Sequence, residues 1–243
     1  MADGQVLRII RQWLTCGVME EGRIRTEAMG TPQGGVISPL LANAYLNELD
    51  IRWKNERWIG RKVRLIRYAD DLVALTDRDP KEPMEALRKH LSNLGLELQA
   101  DKTRLVQAEK GSFDFLGFSF RKVWNRRRTG RFTLRMPSRK AELSIRGKVR
   151  KLTHYARTEK VEGVIREINP VIRGWVNYFR IGNSSRSFSK TQVYIAKKVM
   201  RYVRRKQLKS GFGWKVLPDK VLYDRWGLFR DYRLDKAALR LAY

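Results

Sequence analysis

The chain has 243 residues, 42% hydrophobic and 10% aromatic, enough material for one or two packed cores. No apolar run approaches the roughly 20 residues that span a bilayer, the N-terminal MADGQVLRIIRQWL is not a signal-peptide pattern, and Cys16, His90 and His154 are too few for a disulfide or a structural zinc cluster. A net charge of +27 points to a polyanionic partner and, with the single cysteine, to a soluble protein of a reducing compartment, so a cytoplasmic location is expected.

Val6, Leu7, Ile9, Ile10, Trp13 and Leu14 recur at helical spacing behind Asp3, which can cap the helix. A turn-rich stretch follows, GTPQGGVISP, and Ser38-Pro39 reads as the cap and first residue of a second helix through Leu41, Tyr45, Leu46 and Leu49 towards Asp50. The glycines before it either present amides to a phosphate or form an ordinary loop. In KVRLIRYADDLVALT two apolar runs meet at Asp70-Asp71, which predicts a β-hairpin with acids at its tip. Adjacent carboxylates there are either turn residues or hard oxygen ligands for a cation such as magnesium.

A helix through Met84, Leu87, Leu91 and Leu94 is expected to close at Gly95, followed by short strands around Glu97–Leu98, Thr103–Val106 and Phe113–Phe120. Phe113, Phe115, Phe118 and Phe120 alternate around Gly117, a pattern of core packing with a tight bend. Lys102 reads locally as an exposed lysine near a strand start. From about residue 138 the pattern is helical, and Val193, Ala196, Val199, Met200 and Val203 mark one apolar stripe. Trp175, Tyr178, Phe179 and Tyr194 read as core of this helical part rather than as base-stacking residues. The order of elements predicts an α+β fold.

Charge divides the chain. Residues 1–110 hold 18 basic and 16 acidic residues, and residues 111–243 hold 34 and 9. A solvated surface usually mixes both signs, so the second part reads as a nucleic-acid surface; an anionic membrane fits less well, because its tryptophans and arginines are scattered. Arg126, Arg127 and Arg128, and Lys197, Lys198, Arg201, Arg204 and Arg205, are the candidate RNA-binding residues.

In order and spacing, GTPQGGVISPLLAN, RYADDLVAL, GLELQADKTRLV and FDFLGFSF resemble successive reverse-transcriptase palm motifs, and INPVIRGWVNYFRIGNSSRSF resembles the maturase-specific thumb, domain X, of group II intron-encoded reverse transcriptases. The resemblance implies a partial right-hand polymerase palm, an antiparallel sheet with helices, followed by an α-helical thumb. It implies a palm over residues 1–122, a basic linker over 123–137, the thumb over 138–208 and a basic extension over 209–243. Asp70 is then the principal metal ligand, Asp71 its weaker neighbour, and Tyr68 packs near the primer terminus. Thr31, Pro32, Gln33, Gly34 and Gly35 line the nucleotide and template site. Lys102 sits near the pyrophosphate, and Phe115, Leu116 and Gly117 form the primer grip. The implied cofactor is Mg2+. The implied partners are group II intron RNA, an RNA template with a DNA primer, and deoxynucleoside triphosphates, with no membrane.

The family carries a further catalytic aspartate on a strand before the equivalent of the first helix, and some members end in a Cys/His endonuclease domain. Neither has a counterpart in this sequence. The expectation is therefore an RNA-directed DNA polymerase and maturase lacking the fingers and first catalytic aspartate, inactive alone and open to complementation by a separate N-terminal half. The alternative is a catalytically inactive RNA-binding maturase fragment, or the product of a truncated gene.

Overall fold

The computed structural model describes residues 3–15, 18–20, 23–25, 36–56, 63–155, 160–206, 221–235 and 237. The chain forms two compact units, Met1–Leu105 and Val106–Tyr243. Their net charges are +2 and +25. Among the described residues no helix is long and apolar enough to cross a membrane.

The first unit contains α1 (Gly4–Thr15), the paired strands β1 (Val18–Glu20) and β2 (Arg23–Arg25), α2 (Ser38–Asn55), the hairpin of β3 (Val63–Tyr68) and β4 (Asp71–Thr76), and α3 (Lys81–Ser92). Asp3 caps α1, its carboxylate accepting from the Gln5 amide at 2.8 Å. At α2 the expectation shifts by one residue. Ile37 takes the capping position, because its carbonyl accepts from both Leu40 and Leu41, and Ser38 and Pro39 are already helical. Leu49 and Trp53, one turn apart on α2, pack with Val63, Leu87 and Leu91 in the core. The Trp53 indole donates to the Val63 carbonyl at 3.3 Å, tying α2 to β3. Gly95 ends the α3 region at φ +66°, as expected of a helix-closing glycine. The strands expected at Glu97–Leu98 and Thr103–Val106 are absent. Local turns satisfy that backbone instead, with Thr103 donating to Gln99 through both its amide and its hydroxyl, while Leu96 and Leu98 pack on the core from irregular chain.

The second unit joins a three-stranded antiparallel sheet, β5 (Phe113–Phe115), β6 (Phe118–Trp124) and β7 (Arg131–Pro137), to three helices, α4 (Arg139–Tyr155), α5 (Val161–Phe179) and α6 (Ser185–Lys206). The basic linker expected over 123–137 is therefore the end of β6, a turn and β7. The β-alternation of Phe132, Leu134 and Met136 outweighs the arginine run in fixing its structure. Ile145 and Val149 on α4, Ile168, Ile172 and Val176 on α5, and Ile195, Val199 and Val203 on α6 form the core, and Phe118 joins the sheet to it.

The extension expected beyond residue 208 is not a mere tail where it is described. Leu222 and Leu228 are buried in the same core, and Val221–Arg225 is a short π-helical turn. Asn169 explains the hold: its amide donates to the Gly227 carbonyl at 2.8 Å and its oxygen accepts from the Phe229 amide at 2.9 Å. Observed elements are α-helices and small antiparallel sheets, an α+β chain.

Candidate functional site

The β3–β4 hairpin pairs Tyr68 with Asp71, leaving Ala69 and Asp70 as its two-residue turn. Ala69 lies at φ +53°, a left-handed conformation that a residue with a Cβ adopts only at some strain. Arg67 holds it there. Its guanidinium is anchored on α2 by Asp50, at 2.5, 3.1 and 3.2 Å, and by Asn43 at 2.9 Å. The same group donates to the Ala69 carbonyl at 3.2 Å. Only 12% of the Arg67 side chain is exposed, and its hydrogen bonds to Asp50 raise its pKa above the ordinary arginine value, against the lowering effect of burial. A charged strut thus runs from the helix to the turn that bears the acids.

At the tip Tyr68 is 64% exposed, and Asp70 and Asp71 are exposed beside it. Among the described residues no ion pair takes up either carboxylate, although the chain holds 52 lysines and arginines. Two adjacent hard oxygen donors, open to solvent, suit a magnesium ion that completes its shell with water and phosphate oxygens. Among the described residues no cluster of three or more His, Cys, Asp or Glu side chains forms a self-contained metal cage.

The structure brings Tyr68, Asp70 and Asp71 together. Lys102 is exposed in a turn closed by its own amide to the Gln99 carbonyl at 3.1 Å, rather than on a strand. Thr31, Pro32, Gln33, Gly34 and Gly35 lie outside the described residues.

Phe115, Leu116 and Gly117 form the β5–β6 turn, in the second unit. Leu116 at φ +48° and Gly117 at φ +75° are both left-handed. The Tyr178 hydroxyl of α5 donates to the Leu116 carbonyl at 2.9 Å, the Ser138 amide donates to the Gly117 carbonyl at 2.8 Å, and Phe118 packs on Tyr178 and Phe179. The turn is fastened to the helices.

Several basic residues of α6 gather beside α4. Arg146, Ser189, Lys190, Val193, Tyr194 and Lys197 line an open cleft, continued by Lys198 and Arg201. Two cations lie over the Tyr194 ring, the Arg146 guanidinium at 5.3 Å and the Lys198 ammonium at 5.6 Å. Burial, then Arg201, Arg150 and Arg205, hold the Lys198 pKa below the usual lysine value. Such crowding of like charge disfavours folding and is relieved by a polyanion. Of the five predicted α6 cations, Lys197, Lys198 and Arg201 line the cleft; Arg205 donates to the Thr153 carbonyl at 2.9 Å, and Arg204 is partly buried. Sequence reasoning missed Arg146, Arg150 and Lys190. The four-residue spacing of Arg146 and Arg150 on α4 is the signal that finds two of them.

The sequence matches known protein families and relatives. Residues 2–120 match the family described as reverse transcriptase (RNA-dependent DNA polymerase). Residues 143–217 match the group II intron, maturase-specific domain. The "Uncharacterized 91 kDa protein in cob intron" of Schizosaccharomyces pombe is 23% identical over 298 residues, covering 91% of this chain and 37% of that protein. "Protein YkfC" of Escherichia coli is 30% identical over 151 residues, 48% of this chain and 39% of that one. "Group II intron-encoded protein LtrA" of Lactococcus lactis subsp. cremoris is 46% identical over 48 residues, 20% of this chain and 8% of that one. The chain thus spans well under half the length of each of these relatives. With a reverse-transcriptase match over the hairpin-bearing part and a group II intron maturase-specific match over the helices, the chain belongs to the group II intron-type reverse transcriptase/maturase family.

Proposed function

We propose that this chain is palm and thumb of an RNA-directed DNA polymerase and maturase that copies RNA into DNA and helps its group II intron RNA fold for splicing and mobility. One observation carries the polymerase reading: in a chain of net charge +27, Asp70 and Asp71 stay exposed, with no ion pair among the described residues, at a tip that Arg67 fixes. When bound there, Mg2+ supplies charge stabilisation to a phosphoryl transfer and activates the attacking primer hydroxyl. Asp70 is the principal ligand and Asp71 the weaker one. Tyr68 packs near the primer terminus, Phe115, Leu116 and Gly117 grip the primer strand, and Lys102 stands near the departing pyrophosphate. Thr31, Pro32, Gln33, Gly34 and Gly35 contact nucleotide and template. In a right-hand arrangement these residues belong to the palm, and α4–α6 with residues 221–235 to the thumb.

The second unit grips RNA chiefly through phosphates, using Lys197, Lys198 and Arg201 in the α4–α6 cleft and Arg126, Arg127 and Arg128 in the β6–β7 turn. Two adjacent acids on one hairpin cannot surround two metal ions, so residues 1–243 alone do not extend a primer and need a further carboxylate from another segment. The alternative, RNA binding without synthesis, is favoured by the net charge of +25 on the second unit. Primer extension on an RNA template decides between them, using the chain co-expressed with a fingers-bearing reverse-transcriptase segment. The polymerase reading predicts DNA synthesis that Asp70→Ala abolishes and Asp71→Ala reduces less. A soluble complex that binds primer–template and makes no DNA establishes the alternative.

A further inference from the structure

The β6–β7 hairpin is more than a connector. Between Phe118 and Pro137 seven residues are basic and none is acidic. Its root is fixed: Phe118 is buried, and Arg135 exchanges two hydrogen bonds with Asn183 at the α5–α6 corner, at 3.0 and 2.5 Å. Its tip is fixed too. Asn125 donates its amide to the Gly130 carbonyl at 2.9 Å, and its carbonyl accepts from the Arg128 amide at 3.0 Å. The Asn125 side chain then clasps Thr129 twice, accepting from its amide at 2.9 Å and donating to its hydroxyl at 2.8 Å. A closed loop therefore presents Arg126, Arg127 and Arg128, all exposed.

Arg128 sits at φ +55°, where hairpin loops favour glycine or asparagine. Arginine at that point sacrifices stability for charge, a pattern that marks binding sites. At the base of the tip, Trp124 is 54% exposed, and the Arg131 guanidinium lies over its ring at 4.7 Å.

We propose that this ribbon is a preformed clamp for the sugar–phosphate backbone of double-helical RNA, with the arginine loop closing on the duplex. The proposal rests on the RNA-binding reading above and gives it a form of RNA. Proteins read A-form duplexes by shape, through phosphate and 2′-hydroxyl contacts across a wide, shallow groove, which suits a rigid cationic projection. Single strands are held largely by stacking bases on open aromatic faces. The exposed aromatic residue beside this tip, Trp124, already has a face covered by Arg131, so the tip favours the duplex.

The test uses the full chain and filter binding across a salt series. The probes are a duplex RNA of about 16 base pairs, the span a duplex-reading domain covers, and one of its strands alone. The triple variant Arg126→Ala/Arg127→Ala/Arg128→Ala loses duplex affinity, and its salt slope flattens by up to about 0.9 for each phosphate it no longer neutralises. Asn125→Ala, with every charge retained, weakens duplex binding severalfold and leaves single-strand binding unchanged. Arg128→Gly keeps the loop and relieves its strain, so it melts no earlier than the parent and still binds duplex less well. Equal losses on both RNAs would reduce the tip to an unselective charge patch, and an unaffected Asn125→Ala would refute preformation. If the triple variant binds like the parent, the ribbon lies outside the RNA site, while loss through Lys197→Ala/Arg201→Ala would still uphold RNA binding in the cleft. A parent chain that binds neither RNA would sink the underlying reading itself.

Discussion

The Tyr178 hydroxyl donates to the Leu116 carbonyl at 2.9 Å and so fastens the turn before β6 to α5. Ala69 in the β3–β4 hairpin is held in the same manner by Arg67 at 3.2 Å. Each of these two turns contains a non-glycine residue in the left-handed region, and each is steadied by a side chain fixed elsewhere in its own unit. Strain of this kind persists only where the surroundings over-determine it, and it gathers at functional sites.

For the second unit, Tyr178→Phe removes that donor while Phe118 and Phe179 still pack on the ring. The expected loss is about 1 kcal/mol in denaturant unfolding. Hydrogen exchange should quicken around residues 115–118 and stay unchanged in α6. Uniform quickening of both would show that the bond does not act on the turn.

In the first unit, Asp50→Asn leaves the part-buried Arg67 without its counter-charge, while Arg67→Met removes charge and strut together. Losing a charged hydrogen bond is worth about 1.5–3 kcal/mol. Asp50→Asn should therefore destabilise by about that amount, and much less once Arg67→Met is already present. Additive losses in the double-mutant cycle would contradict the strut.

Lys198 allows a prediction of opposite signs. Its folded pKa is depressed below the unfolded value of 10.5. Keeping it protonated therefore opposes folding at neutral pH, and that opposition is relieved as pH rises through the lowered pKa towards 10.5. Lys198→Met should raise the melting temperature at pH 7 while flattening the salt slope of RNA binding by up to about 0.9. A variant that both melts earlier and binds RNA unchanged would remove Lys198 from the site.

Gly182 is a packing test. A Cβ there would meet the Arg135 carbonyl oxygen at 2.7 Å and Phe118 at 3.0 Å. Gly182→Ala should cost about 1–3 kcal/mol in thermal unfolding, and a neutral result would mean that the corner can shift.

Much of this was legible in the sequence, for identifiable reasons. The acid-tipped hairpin, the Asp3 cap and the closing Gly95 follow from local chemistry, which needs no partner. The β6–β7 ribbon was hidden because three consecutive arginines mask the alternation of Phe132, Leu134 and Met136. The strut was hidden because Arg67 and Asp50 lie 17 residues apart on different elements, brought together where α2 packs on β3 through the Trp53–Val63 hydrogen bond. The burial of Leu222 and Leu228 depends on Asn169, which resembles an ordinary polar residue beside Pro170 until its two distant backbone partners appear.

The central claim, that Asp70 and Asp71 form a metal site for polymerisation, is tested most directly by iron-mediated backbone cleavage. The chain, co-expressed with the fingers-bearing segment and supplied with primer–template and a deoxynucleoside triphosphate, is exposed to Fe2+ and peroxide in place of Mg2+, and the cut positions are mapped. The account predicts cleavage centred on Tyr68–Asp71, suppressed by added Mg2+ and lost in Asp70→Ala. Absence of cutting there in the parent chain, or cutting that survives Asp70→Ala, would contradict it.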